Sequence, residues 1–141
     1  MKSYPVYRLV KSADLNHHGT LFAGRTAEWF VESAFVAASC EIGNPEYIVC
    51  VNIHGMQFKS SVGKGDVICF TSRIAHLGTT SITVFTEIHS ETRDIYPVKG
   101  FLTFVSVDLD GKKRPHNLVL DETDDEEELN IREEAKKLLG K

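Results

Sequence analysis

The spacing of apolar residues along this chain changes character twice. From Arg25 to Glu41 there is no Pro or Gly, and Trp29, Phe30, Val31, Ala34, Phe35, Val36, Ala37 and Ala38 cover most of a helical circumference. A helix exposed on one side shows a single apolar stripe, so this one, predicted over about residues 24–41, reads as buried nearly all round. Ala27, Ala34, Ala37 and Ala38 favour the helical state, and Gly43-Asn44-Pro45 ends it. Around it the period shortens. Tyr4 to Val10, Tyr47 to Phe58, Asp66 to His76, Ser81 to His89 and Val98 to Asp108 are rich in β-branched and aromatic residues, which predicts strands. Gly63-Lys64-Gly65-Asp66, His76 to Thr80 and Asp108 to Gly111 are the turns between the later ones. The order is one early strand, a polar glycine-containing loop, one long helix, then a four-stranded meander wrapped on that helix.

The pattern stops after Pro115. Residues 121–128 (DETDDEEE) hold seven acids in eight positions, a run expected to be solvated and self-repelling. Behind it Ile131, Ala135, Leu138 and Leu139 keep helical spacing, with Glu133 four residues before Lys137. Two segments follow from this: a domain over 1–118, and an acidic C-terminal helix or tail over 119–141 lying outside the core pattern. The formal net charge of −4 offers no basic field for nucleic acid. No apolar run approaches the ~18–20 residues of a membrane span, and the N-terminus lacks a secretory leader, so a cytoplasmic protein is expected, with no membrane partner. Cys40, Cys50 and Cys69 lie in apolar runs and read as core thiols of a reducing compartment. The scattered histidines have no metal-ligand spacing.

The long helix nevertheless carries Glu28 and Glu32, one turn apart, just after a loop with Asn16, His17, His18, Gly19 and Gly24. The stretch Asp14-Leu15-Asn16-His17-His18-Gly19, then Phe22-Ala23-Gly24, then Trp29 and an acid, resembles the DxNxxGxxFGG region of acyl-CoA thioesterases. Gly63-Lys64-Gly65-Asp66 is similar to that family's Gly-Asp turn, and Gly78-Thr79-Thr80-Ser81 to its G-x-[ST]-S turn. Phe101 to Asp108, with Gly111 after it, resembles its last strand and turn. The likeness runs in order from residue 4 to about 116.

The resemblance implies an α+β hotdog fold: one long helix against a five-stranded, mainly antiparallel sheet. It implies hydrolysis of acyl-CoA to a free acid and CoA, with no metal or redox cofactor. It also implies a homo-oligomer whose site lies between protomers. In the family a helix carboxylate, eight residues after a loop glycine, is the base or nucleophile. Glu32 is eight after Gly24, and Glu28 only four. Reading Ala23-Gly24 as the family's double glycine moves the acid position by one residue. Gly24 would give its N–H to the oxyanion, and Asn16, His17 or His18 would orient the water or carbonyl. Lys59, Ser60 and Ser61, with Lys64, and the turn Gly78, Thr79, Thr80 and Ser81 are the candidate CoA contacts; Arg73, Lys112, Lys113 and Arg114 are further cations able to meet phosphates. The hydroxyl that some relatives carry one turn after the acid is here Val36.

This chemistry suits the residues. A carboxylate on a dry helix deprotonates water or attacks the thioester carbonyl. Unpaired amides at a helix N-terminus stabilise the oxyanion that results. The plainer alternatives are that both glutamates sit on a polar strip of a half-exposed helix, that the two histidines are ordinary loop residues, and that the lysines only solubilise the surface. Two other functions stay open: a hotdog dehydratase or hydratase on acyl thioesters, and an acyl-CoA-binding regulator without turnover.

Overall fold

The computed structural model describes residues 1–141. Its elements are β1 (Tyr4–Leu9), α1 (Ala23–Ile42), β2 (Ile48–Phe58), β3 (Val67–Leu77), β4 (Ser81–Ser90), β5 (Ile95–Ser106) and α2 (Glu126–Leu138), with short 3-10 turns at Ser12–Asp14 and Pro45–Tyr47. The five strands form one sheet in the order β1-β3-β4-β5-β2, antiparallel at every junction. This is the helix-on-sheet architecture that the apolar pattern predicts, but the expected four-stranded meander is only three strands long: β3, β4 and β5 are neighbours in turn, while β2 crosses over to pair with β5 at the far edge.

Helix α1 lies on one face of the sheet because its small residues permit a close approach. Phe30, Ala34, Ala37 and Ala38 are fully buried, against Phe70, Ile82, Leu102 and Phe104 from the strands. Trp29 meets Phe70 edge-on at 6.2 Å, and Phe35 meets Phe104 at 5.9 Å. The helix ends where Gly43 takes a left-handed φ of 92°, a conformation that suits glycine.

Strand β2 is the long edge of the sheet. Its ladder with β5 is interrupted between Cys50 and Asn52 and again between Ile53 and Met56. Gly55 has φ +131° there, and a Cβ at the facing Gly100 would run into the Gly55 carbonyl oxygen and stand 3.2 Å from the Phe30 ring. Val49, Val51, Ile53 and Phe58 remain 45 to 55% exposed along this edge. An open apolar edge of eleven residues is a template for pairing with another chain.

Three expectations need correction. Helix α1 is not wrapped: Gly24, Glu28, Glu32 and Cys40 are exposed on the side away from the sheet. Of the three cysteines only Cys69 is buried, while Cys40 and Cys50 are exposed. The C-terminal segment is not outside the core. Helix α2 lies on the opposite face of the sheet, where Ile131 and Ala135 pack with Ala75, Phe85 and Phe101. Within the acidic run, Asp125 caps α2 by accepting from the Glu128 amide. The buried Glu128 is ion-paired with Arg73 Nε at 2.7 Å and Arg132 Nε at 3.2 Å. The self-repulsion expected of that run is relieved by these two guanidiniums and by the helix N-terminus, which favours acids in its first turn.

Candidate active site at the N-terminus of the long helix

The loop between β1 and α1 is held by two side chains. Asp14 is 3% exposed; its carboxylate accepts from the Lys11 amide at 2.9 Å and stands 3.4 Å from Arg25 Nη1 in the first turn of α1. Asn16 closes the loop on itself. Its side-chain oxygen accepts from the His18 amide at 2.9 Å and the Thr20 amide at 3.1 Å, and its Nδ2 donates to Thr20 Oγ1 at 3.0 Å. Gly19, at φ +79°, makes the tight reversal possible. These bonds are local side-chain-to-backbone contacts that take the place of a regular ladder.

The loop delivers an uncapped helix. Phe22 is the N-cap of α1 and has no side chain able to cap it. Its carbonyl accepts from the amides of Arg25 and Thr26, both at 3.0 Å. The amides of Ala23 and Gly24 precede the first intrahelical bond and have no acceptor. They are the orphan donors of a helix start, carrying the positive end of its dipole.

Ala23, the first of these two residues, lines a cleft of about 330 Å³. Asn16, Thr20, Ala23 and Thr26 form one wall; Phe58, Lys59, Ser60, Ser61 and Val62, leaving the end of β2, form the other. Backbone bonds fix the two walls together: Leu21 N donates to Val62 O at 2.8 Å, and Thr20 bridges Gly63. Lys59 makes no ion pair, so the mouth of the cleft carries a free cation. Unpaired N–H donors, hydroxyls, one cation and an apolar floor can together seat a carbonyl with a phosphate-bearing tail.

The residues singled out from the sequence divide into groups. Asn16, Lys59, Ser60 and Ser61 meet in this cleft; Gly24 does not line it but follows Ala23, which does. His17 and His18 lie on its outside, exposed, with ring centroids 3.9 Å apart. Gly78, Thr79, Thr80 and Ser81 stand at the far end of α1. There Thr80 O accepts from Ser106 N at 2.7 Å and Thr79 O accepts from His116 N at 3.3 Å. Glu32 is not in the cleft of its own chain. Its carboxylate is bound to Arg8 on β1 at 2.7 Å, and its side chain is 56% exposed. Arg8 in turn lies 5.2 Å from the Trp29 ring. At about 100° per residue, Glu28 and Glu32 sit roughly 200° and 240° around the helix from Thr26. Both therefore face away from the sheet. Glu28 is exposed and has no ion pair or hydrogen bond. The one-residue shift of register lands on Val31, a half-buried residue without a carboxylate.

Sequence reasoning passed over Asp14, Thr20 and Thr26. Asp14 was the first residue of the quoted loop motif, and its burial beside Arg25 explains its place there. Thr20 and Thr26 gave no such signal; only the fold turns them toward Ser60 and Ser61.

A profile of the family described as Thioesterase superfamily matches residues 18–96. The chain is 31% identical over 115 residues to the acyl-CoA thioester hydrolase YciA of Salmonella typhimurium, covering 76% of this chain and 84% of that one. This chain belongs to the thioesterase superfamily. It is also 30% identical over 118 residues to YkhA of Bacillus subtilis strain 168, named an uncharacterised acyl-CoA thioester hydrolase, covering 80% of this chain and 67% of that protein. Among solved structures, an apo-hexameric acyl-CoA thioesterase superposes with a TM-score of 0.84 at 30% identity, over 98% of this chain and 88% of its own. An acyl-CoA hydrolase from Staphylococcus aureus, solved with butyryl coenzyme A, has a TM-score of 0.86 at 24% identity, over 98% and 82%. The second likeness is one of fold.

Proposed function

We propose that this thioesterase-superfamily chain hydrolyses acyl-CoA thioesters to a carboxylic acid and CoA, with the reacting carbonyl at the N-terminus of α1. The observation that carries the reading is the pair of unpaired amides of Ala23 and Gly24 at the start of α1, Ala23 lining a cleft that also holds Asn16 and Lys59 to Ser61. Relatives named acyl-CoA thioester hydrolases support it. Water adds to the carbonyl carbon, and the oxyanion rests on the two amides. The C–S bond then breaks, and the proton taken from water passes to the departing thiolate. A preorganised donor of this kind is worth ~10²–10³-fold in rate.

A carboxylate must take the proton from water. In this reading Glu32 does so, oriented by Arg8, and serves the cleft of a second copy, since it faces away from its own. A second reading gives the part to Glu28, one turn after Gly24, because its carboxylate is free of partners while that of Glu32 is engaged. Asn16 holds the loop and offers its remaining amide hydrogen to the cleft.

The assembly has at least two copies, joined along the open edge of β2. Its row of exposed Val49, Val51, Ile53 and Phe58 supports this, as does the hexameric state named for one relative. An isologous pairing runs the two β2 strands antiparallel. The Phe58 end of one chain, where its cleft lies, then adjoins the Ile48 end of the other, and Gly78 to Ser81 return to the neighbourhood of the cleft from the partner. The test is thiol release from acyl-CoA by the purified protein. Saturable binding of acyl-CoA without thiol release would make it a binder, and release of water from a 3-hydroxyacyl-CoA would make it a dehydratase.

A further inference from the structure

One wall of the cleft, Lys59 to Val62, belongs to no helix or strand. The amides of Ser60, Ser61 and Val62 donate to no acceptor within the chain. The ends of the segment are pinned: Lys59 N donates to Pro97 O at 2.7 Å, and Val62 O accepts from Leu21 N at 2.8 Å. Its middle is held from outside, by a residue that does not line the cleft. Arg93, in the turn between β4 and β5, donates from Nη2 to Ser61 O at 2.5 Å. The same nitrogen stands 3.0 Å from Asp66 Oδ2.

Asp66 joins wall and turn. Its Oδ2 also accepts from the Gly63 amide at 2.9 Å, and its Oδ1 from Thr92 Oγ1 at 3.1 Å. The carboxylate is only 13% exposed, a setting in which charge-assisted bonds are strong and directional. The turn that carries Arg93 is itself tied down. Glu91 N donates to Val67 O at 2.9 Å and Asp94 N to Ser90 O at 2.8 Å, while Arg93 N donates to Ser90 Oγ at 3.3 Å. His89 lies between the carboxylates of Glu91 and Asp94, at 3.1 and 2.7 Å. Arg93 is thus aimed at the wall before any ligand arrives, which lowers the cost of ordering it on binding.

A trans peptide is planar, with its C=O and the following N–H pointing in opposite directions. Turning Ser61 O to Arg93 therefore turns the Val62 amide away from the β4–β5 turn. Arg93 is 43% exposed, and an ion pair that exposed adds little to overall stability. The consequence of the clamp is local shape rather than fold.

We propose that Arg93 is a positioning residue for the cleft: through Ser61 O and Asp66 it fixes the wall, and with it the Val62 amide, against which the thioester binds. The inference rests on the thioesterase reading above. Arg93 touches no reacting atom.

Arg93→Met keeps the unbranched stem and removes the donor and the charge. Arg93→Lys returns one charged nitrogen able to donate to both oxygens. Thiol release from one acyl-CoA is measured for the wild type and both variants, beside melting curves and peptide-resolved amide exchange. Loss of a charged hydrogen bond at the wall predicts about a tenfold rise in KM for Arg93→Met, with kcat and the melting midpoint near those of the wild type. Arg93→Lys should recover most of that loss. Exchange should quicken at Leu21 and Gly63, whose amides bond to the wall and to Asp66, and not in the interior of α1. An unchanged KM, or a rise that Lys does not relieve, overturns the assignment. So does a fall in kcat that tracks the melting point at constant KM, because a merely structural residue lowers the amount of active protein and not its affinity. If the wild type releases no thiol, the thioesterase reading fails on its own. The clamp is then judged by exchange alone: faster exchange at Leu21 and Gly63 in Arg93→Met retains it, and an unchanged pattern removes it.

Discussion

Gly24 offers the most discriminating single substitution. A Cβ built there stands 2.5 Å and 2.9 Å from two ring atoms of Phe22, so the ring must swing aside. Phe22 is 54% exposed, and only about half of a full Phe burial, roughly 1 kcal/mol, is lost when it moves. Replacing glycine in a helix returns up to ~1 kcal/mol for Ala and less for β-branched Val. The two effects nearly cancel, so Gly24→Val should fold and melt within about 4 °C of wild type, the shift expected for 1 kcal/mol in a chain of this size. Its turnover should not survive. A side chain at position 24 and the displaced Phe22 ring crowd the helix start whose amides are proposed for the oxyanion, and loss of that stabilisation costs about 10²–10³-fold. The assay is kcat on one good acyl-CoA substrate, beside melting curves, for Gly24→Val, Phe22→Ala and the double variant. Phe22→Ala removes the ring that the new Cβ meets. If the double variant regains wild-type turnover, Gly24 only makes room for Phe22, and its amide has no role in the reaction.

Other outcomes follow from the same geometry. Glu32→Gln should lower turnover by at least ~10²-fold, as for a positioned base, with Glu28→Gln much milder; if the order is reversed in thiol-release kinetics, the base is the unpartnered Glu28. Asn16→Ala removes the three bonds that close the loop and should cost about 10²–10³-fold in kcat, whereas His17→Ala and His18→Ala should stay near wild type; a strong loss in either histidine variant would place that ring in the reaction. Ile131→Ala should destabilise by about 2–4 kcal/mol in urea melts, since Ile131 is 8% exposed against the sheet; an unchanged midpoint would mean that α2 does not hold to the sheet in solution.

Much of the fold was legible because α1 and the strands differ in apolar period, and because Gly43-Asn44-Pro45 and the later turns interrupt the chain where the fold does. The cleft was legible through Asn16 and Lys59 to Ser61, which the loop motif and the turn after β2 mark. What escaped was decided by packing between distant residues. Helix α2 read as solvated because a run of seven acids leads into it and fills its first turn, yet Arg73 and Arg132 neutralise Glu128 and let Ile131 reach the core. The full apolar girth of α1 suggested a wrapped helix, but a single chain supplies only one sheet face to cover it. The same circumference left the direction of Glu32 open. Its spacing from Gly24 matches the family pattern, while its direction, toward Arg8, depends on where β1 lies.

The central claim is that the chain breaks thioester bonds at the N-terminus of α1. The most direct measurement is continuous thiol release from a panel of short, long and aromatic acyl-CoAs by the wild-type protein, with Gly24→Val as the matched control. The account predicts steady turnover on at least one acyl-CoA, at least ~10²-fold lower in the control. Saturable binding of every acyl-CoA with no thiol released, or equal release by both proteins, would contradict it.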